Sequence, residues 1–430
     1  MKSSNAGRLF QASCVALIVT AMTFAIRGGI MSELGRQFSF TGAQLGWVVG
    51  AAFWGFTLAM VIGGPLCDVA GMGRLLKLAF AGHVAGLVLT IFSAGFWSLF
   101  CSTLLVGVAN GLVEAASNPL IATLYPDEKT KRLNQFHAWF PGGIVIGGLI
   151  SYAFQRLGLG WQAQVATMLL PTALYGAMFL NQPFPPTERV ASGVSTRQMF
   201  AECLRPLFLF LMVCMLLTAG TENGTNQWLS LLLENAGVPG ILVLVYVTGL
   251  MTVLRLAAGP VERRFSATGM LAGSAVLSTL GLLWLSRAGG LATLGAATVF
   301  AVGICYFWPT MLGFVSERLP RTGALGLALM GGAGMLATSL VLPVIGRIYD
   351  SQLAAALPAG ATAGALRAAL PGTAEASQWT AARLAAGSAT LQFVAALPLL
   401  LIFAFAALLL QQRGKAVVRL ARAQPAGEER

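Results

Sequence analysis

The 430-residue chain is 57% hydrophobic and only 10% charged, against about a quarter charged in ordinary soluble domains. That balance excludes a string of soluble domains and points to an all-α integral membrane protein. The formal charge of +12 does not mark a nucleic-acid binder, because the basic residues are scattered among short turns and the tail and are not gathered around aromatic platforms.

Crossing a bilayer takes roughly 20 apolar residues, and twelve such runs follow one another. The first, Leu9 to Ile30, places Arg27 on the face of Thr20 and Thr23. Lys2 and Arg8 precede it as in a secretory signal, but the run is too long and lacks a convincing cleavage site, so it reads as a retained span. The second, Gly42 to Gly63, leads into a polar turn of Gly64, Pro65, Asp68, Gly71 and Arg74. The third, Leu75 to Ala94, contains His83, which has little polar company and reads as packing. In the fourth, Ser98 to Leu124, Asn110, Glu114 and Asn118 recur every four residues and share one helix face. A polar stripe at that depth faces an aqueous cavity, and an unpaired carboxylate there is costly, which suits Glu114 to taking up and releasing protons. The other reading is a carboxyl neutralised by one fixed partner. The fifth span, Leu133 to Phe154, sets Asn134 and His137 on one side with Trp139 near the rim. His137 either meets a solute or relays protons, or it is a satisfied core histidine. The sixth, Trp161 to Leu180, completes a first unit of residues 1–180.

The stretch 181–205, with Pro183, Pro185 and Pro186, reads as the hinge between halves. In the seventh span, Pro206 to Leu229, Thr218, Glu222 and Asn226 share a face beside Asn223, Gln227 and Trp228. So many hydrogen-bonding groups suit a hydroxyl-rich solute, unless the span ends early and leaves Glu222 solvated at the interface. The eighth, Ile241 to Gly259, carries Arg255 near one end, where it is expected to snorkel to the headgroups, with anchoring of a neighbouring helix as the alternative. After the ninth, Gly269 to Leu285, the tenth runs from Leu291 to Val315 with Tyr306 and Trp308 beside the helix-breaking Pro309. These aromatics, with Trp139 and Trp228, either stack on a sugar ring or anchor at the interface. The eleventh, Gly323 to Gly346, is followed by an external stretch, Asp350 to Ala386, which either holds short helices or lacks structure. The twelfth, Ser388 to Leu410, ends the second unit, 206–410, and a basic tail occupies 411–430.

The halves look alike. A weaker copy of the Gly64 turn starts at Gly259, Pro260 and Glu262, and the same offset maps Arg27 onto Glu222. Pro119 against Pro309 and Gly142-Gly143 against Gly331-Gly332 recur in the same order, which favours a parallel duplication. The glycine pairs read as close helix contacts. Arg27 either neutralises Glu222 or Glu114 or snorkels outward. An even number of spans puts both termini on one side, and the Lys and Arg distribution makes that side cytoplasmic. The six cysteines lack metal-ligand spacing, so no disulfide, metal or other cofactor is expected. No nucleotide loop or Ser-His-Asp set points to an enzyme.

Gly64, Asp68 and Gly71 resemble the cytoplasmic signature of the major facilitator superfamily, although Val69, Met72 and Gly73 stand where basic residues are usual and Arg74 comes later. From Gly111 to Gly148, the residues Glu114, Asn118, Pro119, Leu133, Asn134 and Gly143 resemble the fucose:proton symporter family. His137 replaces that family's usual Gln, and the first span lacks its Asp. The resemblance implies the superfamily fold, with twelve transmembrane helices in two six-helix bundles. It also implies a gating role for Gly64, Asp68, Gly71 and Arg74, proton coupling at Glu114, and a monomer in the cell inner membrane. The expected function is proton-coupled symport of a sugar or similar polyhydroxylated solute by alternating access. Its expected binding and coupling residues are Arg27, Asn110, Glu114, Asn118, Asn134, His137, Glu222, Asn223, Asn226, Gln227, Tyr306 and Trp308. An exporter of amphiphilic compounds, an uncoupled facilitator and a non-transporting sensor are the alternatives.

Overall fold

The computed structural model describes residues 3–40, 42–233, 240–362, 365–366 and 372–423. Residues 424–430, the end of the expected basic tail, and parts of the expected external stretch lie outside them. Every regular element among the described residues is helical, as an apolar solvent demands, since a helix satisfies its backbone polar groups within one segment. Nine helices are long and apolar enough to cross a membrane, or ten if one bent pair counts as a single span. The remaining expected spans are present as broken helices.

The first half comprises α1 (Ser3–Gln37), α2 (Gly42–Ala70), α3 (Met72–Ile91), α4 (Phe96–Leu124), the broken pair α5 (Lys129–His137) and α6 (Trp139–Arg156), and the broken pair α7 (Trp161–Ala166) and α8 (Leu169–Phe179). The linker carries two short helices, α9 (Glu188–Ala191) and α10 (Thr196–Cys203). In the second half, α11 (Pro206–Ala219) passes through a π-helical turn, Gly220–Gly224, into α12 (Thr225–Leu232). Next come α13 (Gly240–Leu256) and α14 (Ala258–Arg264), bent by 62°, then α15 (Ala267–Leu285), α16 (Ala292–Ile304), α17 (Phe307–Arg318) and α18 (Gly323–Ala356). The last two are α19 (Ala374–Val394) and α20 (Ala396–Ala423). The described parts of the external stretch are thus largely helical, because α18 runs past the expected end of its span and α19 begins before the next.

The breaks have a common cause. Those at Ala138, Thr167, Ala257, Cys305 and Ala395 each lie three or four residues before a proline, namely Pro141, Pro171, Pro260, Pro309 and Pro398. A proline lacks the N–H that would bond the carbonyl four residues back, and its ring crowds that carbonyl. Pro65, Pro119 and Pro343 are instead carried inside continuous helices.

Packing follows the small residues. At Gly107 and Gly111, α4 presses against the backbone of α2 at Ala52 and Phe56, with no room for a side chain; in lipid such close approach supplies the dispersion contacts that hold helices together. The two apolar cores of the first half, one around Leu75, Val113 and Phe179 and one around Ile26, Leu87 and Trp161, are separated by buried polar groups. There, His83, expected to be mere packing, bonds Tyr175 Oη at 2.8 Å through Nδ1 and Asn110 Oδ1 at 2.7 Å through Nε2. The halves meet along α2 and α18, α5 and α17, and α6 and α13.

Candidate functional site

Between the halves lies a narrow cavity lined by Glu114, His137, Phe140, Glu222, Asn223, Arg255, Trp308 and Met335. It shares Phe140, Asn223 and Met335 with a second compartment, which also touches Phe24, Phe53, Asn226 and Gln227. Gln227 is exposed, so the second compartment leads away from the linker end of the molecule.

On the first-half wall, Glu114 is 1% exposed and accepts a hydrogen bond from Asn118 Nδ2 at 3.2 Å. It forms no ion pair among the described residues. Asn118 Oδ1 in turn meets His137 Nε2 at 2.9 Å. Since the Asn118 amide donates to the carboxylate, its oxygen must accept, and His137 therefore carries its proton on Nε2. α5 ends at His137, four residues before Pro141, and the histidine lines the cavity.

On the opposite wall, Glu222 sits in the π-helical turn, a distortion that commonly marks a functional position. It is 4% exposed, so the alternative of a solvated interfacial carboxylate does not hold. Its partner is Arg255, through Nη2 to Oε1 at 2.6 Å. This overturns the expectation for Arg255 and rules out one of the two readings of Arg27. Arg255 does not snorkel but is 1% exposed, donating also to the carbonyls of Cys305 and, at 3.0 Å, His137. Arg27 pairs with neither acid; it is partly buried, forms no ion pair among the described residues, and leaves Nη1 buried without a partner. The offset that aligned Arg27 with Glu222 reported position along a repeated bundle, not contact across it.

The other expected site residues divide. Trp308 lines the cavity with Nε1 unpartnered, as are Glu222 Oε2 and Asn226 Oδ1. These are one donor and two acceptors, the pattern that a hydroxyl group, which both gives and takes a hydrogen bond, can match. Asn223, Asn226 and Gln227 line the second compartment. Tyr306 is set back, its hydroxyl donating to the Leu254 carbonyl at 3.0 Å. Asn134 lies between the halves, bonded to the Thr130 carbonyl at 2.9 Å and to Thr310 Oγ1 at 3.4 Å. Asn110 lines neither compartment; besides His83 it bonds Thr23 Oγ1 at 2.9 Å, joining helices within the first half.

The linker end is closed. A Cβ at Gly64 would lie 2.6 Å from Ala328 Cβ, so α2 reaches α18 there only because the residue is glycine. Asp68 accepts from Thr187 Oγ1 at 2.5 Å and from Arg189 Nε at 2.7 Å, while the neighbouring Glu188 pairs with Lys129 at 2.8 Å. Thr130 Oγ1 donates across the halves to Glu317 at 2.6 Å. Gly71 turns the chain at φ 86°, and Arg74 is exposed, touching only the Ala70 carbonyl among the described residues. Sequence reasoning missed Arg189 and Thr187, whose only advance signal was a Thr-Glu-Arg triplet at a helix start after prolines.

Residues 13–342 match the family model of the Major Facilitator Superfamily. A D-xylose transporter of Levilactobacillus brevis is 30% identical over 172 residues, which is 40% of this chain and 37% of that protein; the chain thus matches little more than a third of that relative's length. Among solved structures, the proton:xylose symporter XylE, bound to 6-bromo-6-deoxy-D-glucose, superposes with a TM-score of 0.72 at 16% identity, over 90% of this chain and 95% of that one. The E. coli fucose:proton symporter FucP superposes with a TM-score of 0.65 at 15% identity, over 90% and 98%.

Proposed function

Since the chain belongs to the major facilitator superfamily and is a multi-pass membrane protein, we propose that it is a secondary active transporter carrying a sugar or similar polyhydroxylated solute together with a proton. The observation that carries this reading is the asymmetry of the two cavity acids. Glu222 has a bonded counterion in Arg255, whereas Glu114 has only an amide donor. A buried charge without a counterion is costly, so closing the cavity over Glu114 is favoured when it holds a proton. Glu222 keeps its charge matched in every state and offers its free oxygen, with Trp308 Nε1 and Asn226, to solute hydroxyls. The xylose and fucose transport named for the relatives supports this substrate class.

In this scheme the solute enters through the compartment at Gln227, and the halves then rock about it. Both termini and the linker are placed on the cytoplasmic side of the cell inner membrane, and the monomer is the working unit. The test is uptake of radiolabelled xylose or fucose into proteoliposomes under an imposed proton gradient, with a sodium gradient as the comparison arm. Glu114→Gln is expected to abolish gradient-driven accumulation while solute counterflow continues, because an amide mimics the protonated acid. Accumulation that survives the substitution, or that follows sodium alone, overturns the coupling assignment.

A further inference from the structure

We infer that Arg255 is a positioning residue that joins the two halves around the closed cavity by bonding carbonyls that two prolines leave free. Pro141 and Pro309 have no N–H, so the carbonyls four residues earlier, those of His137 and Cys305, lack their helical donors. Both are bonded by the one guanidinium, His137 by Nη1 at 3.0 Å and Cys305 by Nε, while Nη2 holds Glu222. A planar fork with donors on three nitrogens fits three acceptors at fixed angles, which an ammonium group does not. Carbonyls released at helix ends also carry partial negative charge, which favours a cation. The same proline logic operates once more in the first half, where Pro119 frees the Ala115 carbonyl and Cys67 Sγ takes it at 3.3 Å.

The three acceptors are not equivalent. Glu222 and Cys305 belong to the same half as Arg255, and His137 belongs to the other. When the halves part at this level, one bond breaks and two persist, so the guanidinium stays aimed at the place where His137 returns. Leaving that carbonyl unbonded in a closed cavity carries a full desolvation penalty. His137 is also the residue whose ring meets Asn118, and through it Glu114. The contact therefore links the proton site of one half to the solute carboxylate of the other.

The inference rests on the transport reading for its consequence, and two substitutions test it. Arg255→Lys keeps the charge beside Glu222 but cannot serve all three acceptors. Pro141→Ala leaves Arg255 intact and supplies a backbone N–H that takes the His137 carbonyl back into a continuous helix. In both variants xylose counterflow is expected to fall about tenfold, the size of one charge-assisted hydrogen bond, and Pro141→Ala, which leaves every cavity-lining side chain in place, is expected to bind D-xylose within about threefold of the unmodified protein. Pro343→Ala, at a proline inside α18, is expected to leave counterflow unchanged. Counterflow at the unmodified rate in both test variants overturns the proposal. A second readout needs no solute: in the full-length protein, hydrogen exchange across residues 137–145 is expected to quicken in Arg255→Lys. Unchanged exchange there overturns the inter-half contact whether or not sugar is carried. Quickened exchange in a protein that shows no counterflow upholds the contact and removes the transport reading.

Discussion

Glu222 and Arg255 bury opposite charges 2.6 Å apart beside the second, unpaired acid Glu114. Removing one partner strands the other, and for buried pairs that costs about 3–5 kcal/mol, while removing both is often far milder. Glu222→Gln is therefore expected to lower thermal stability in detergent sharply, and the double variant with Arg255→Gln to lose less than the two single losses summed; strictly additive losses would deny the pairing. At the linker end, Asp68 has a side chain 1% exposed and holds both Thr187 and Arg189. Asp68→Asn removes a charge-assisted bond worth about 1.5–3 kcal/mol, and faster proteolysis of the 181–205 linker is the expected sign. Glu114, Asn118 and Glu222 were legible from spacing and residue type, because a carboxyl or amide stripe on an apolar helix has few destinations. Arg255 was not, because an arginine near the end of a span has the same local sequence whether it reaches headgroups or turns inward.

Helices in this protein are long where small residues meet and broken where prolines intervene. Gly64 lets α2 cross α18 at the linker end, and Gly313 does the same for α17 against Thr130 of α5. Gly64→Val overfills the first contact, at a typical cost of about 1–3 kcal/mol for overpacking. Because that contact exists only while the linker end is closed, the expected effect is greater labelling, by an impermeant thiol reagent, of a cysteine placed at Thr123 on that side. Unchanged labelling would mean that the crossing does not hold the end shut. Glycine pairs marked other crossings in the sequence, such as those of Gly143 and Gly147 against α1, but not which helix supplies the other surface, and Gly313 carried no such signal. Pro309 was read in advance as a breaker; the companion break before Pro141 has the same cause, and together they prepare the two carbonyls that Arg255 meets.

Across the whole molecule, the halves are joined at the linker end by side chains from both sides and by the linker itself, while the cavity reaches toward Gln227 at the other. Alternating access requires that joint to open. Cysteines placed at Thr130 and Glu317, whose side chains meet at 2.6 Å across the halves, can be bridged by a short bis-methanethiosulfonate reagent through disulfides that reduction reverses. Once bridged, the protein is expected to bind sugar but not exchange it, and to recover exchange on reduction. Exchange that continues through the cross-linked state would exclude separation of α5 from α17 as part of the cycle.

The sequence by itself determined the membrane class, the helical architecture and the acids that belong inside, because composition, run length and four-residue spacing act locally and leave little choice in lipid. Tertiary structure alone decided the pairings: Arg255 and not Arg27 beside Glu222, His83 with Asn110 and Tyr175, Asp68 with the linker. The reason is that a buried charge or amide takes whichever partner the helix crossings bring within about 3 Å, and those crossings are set by contacts far apart in the chain.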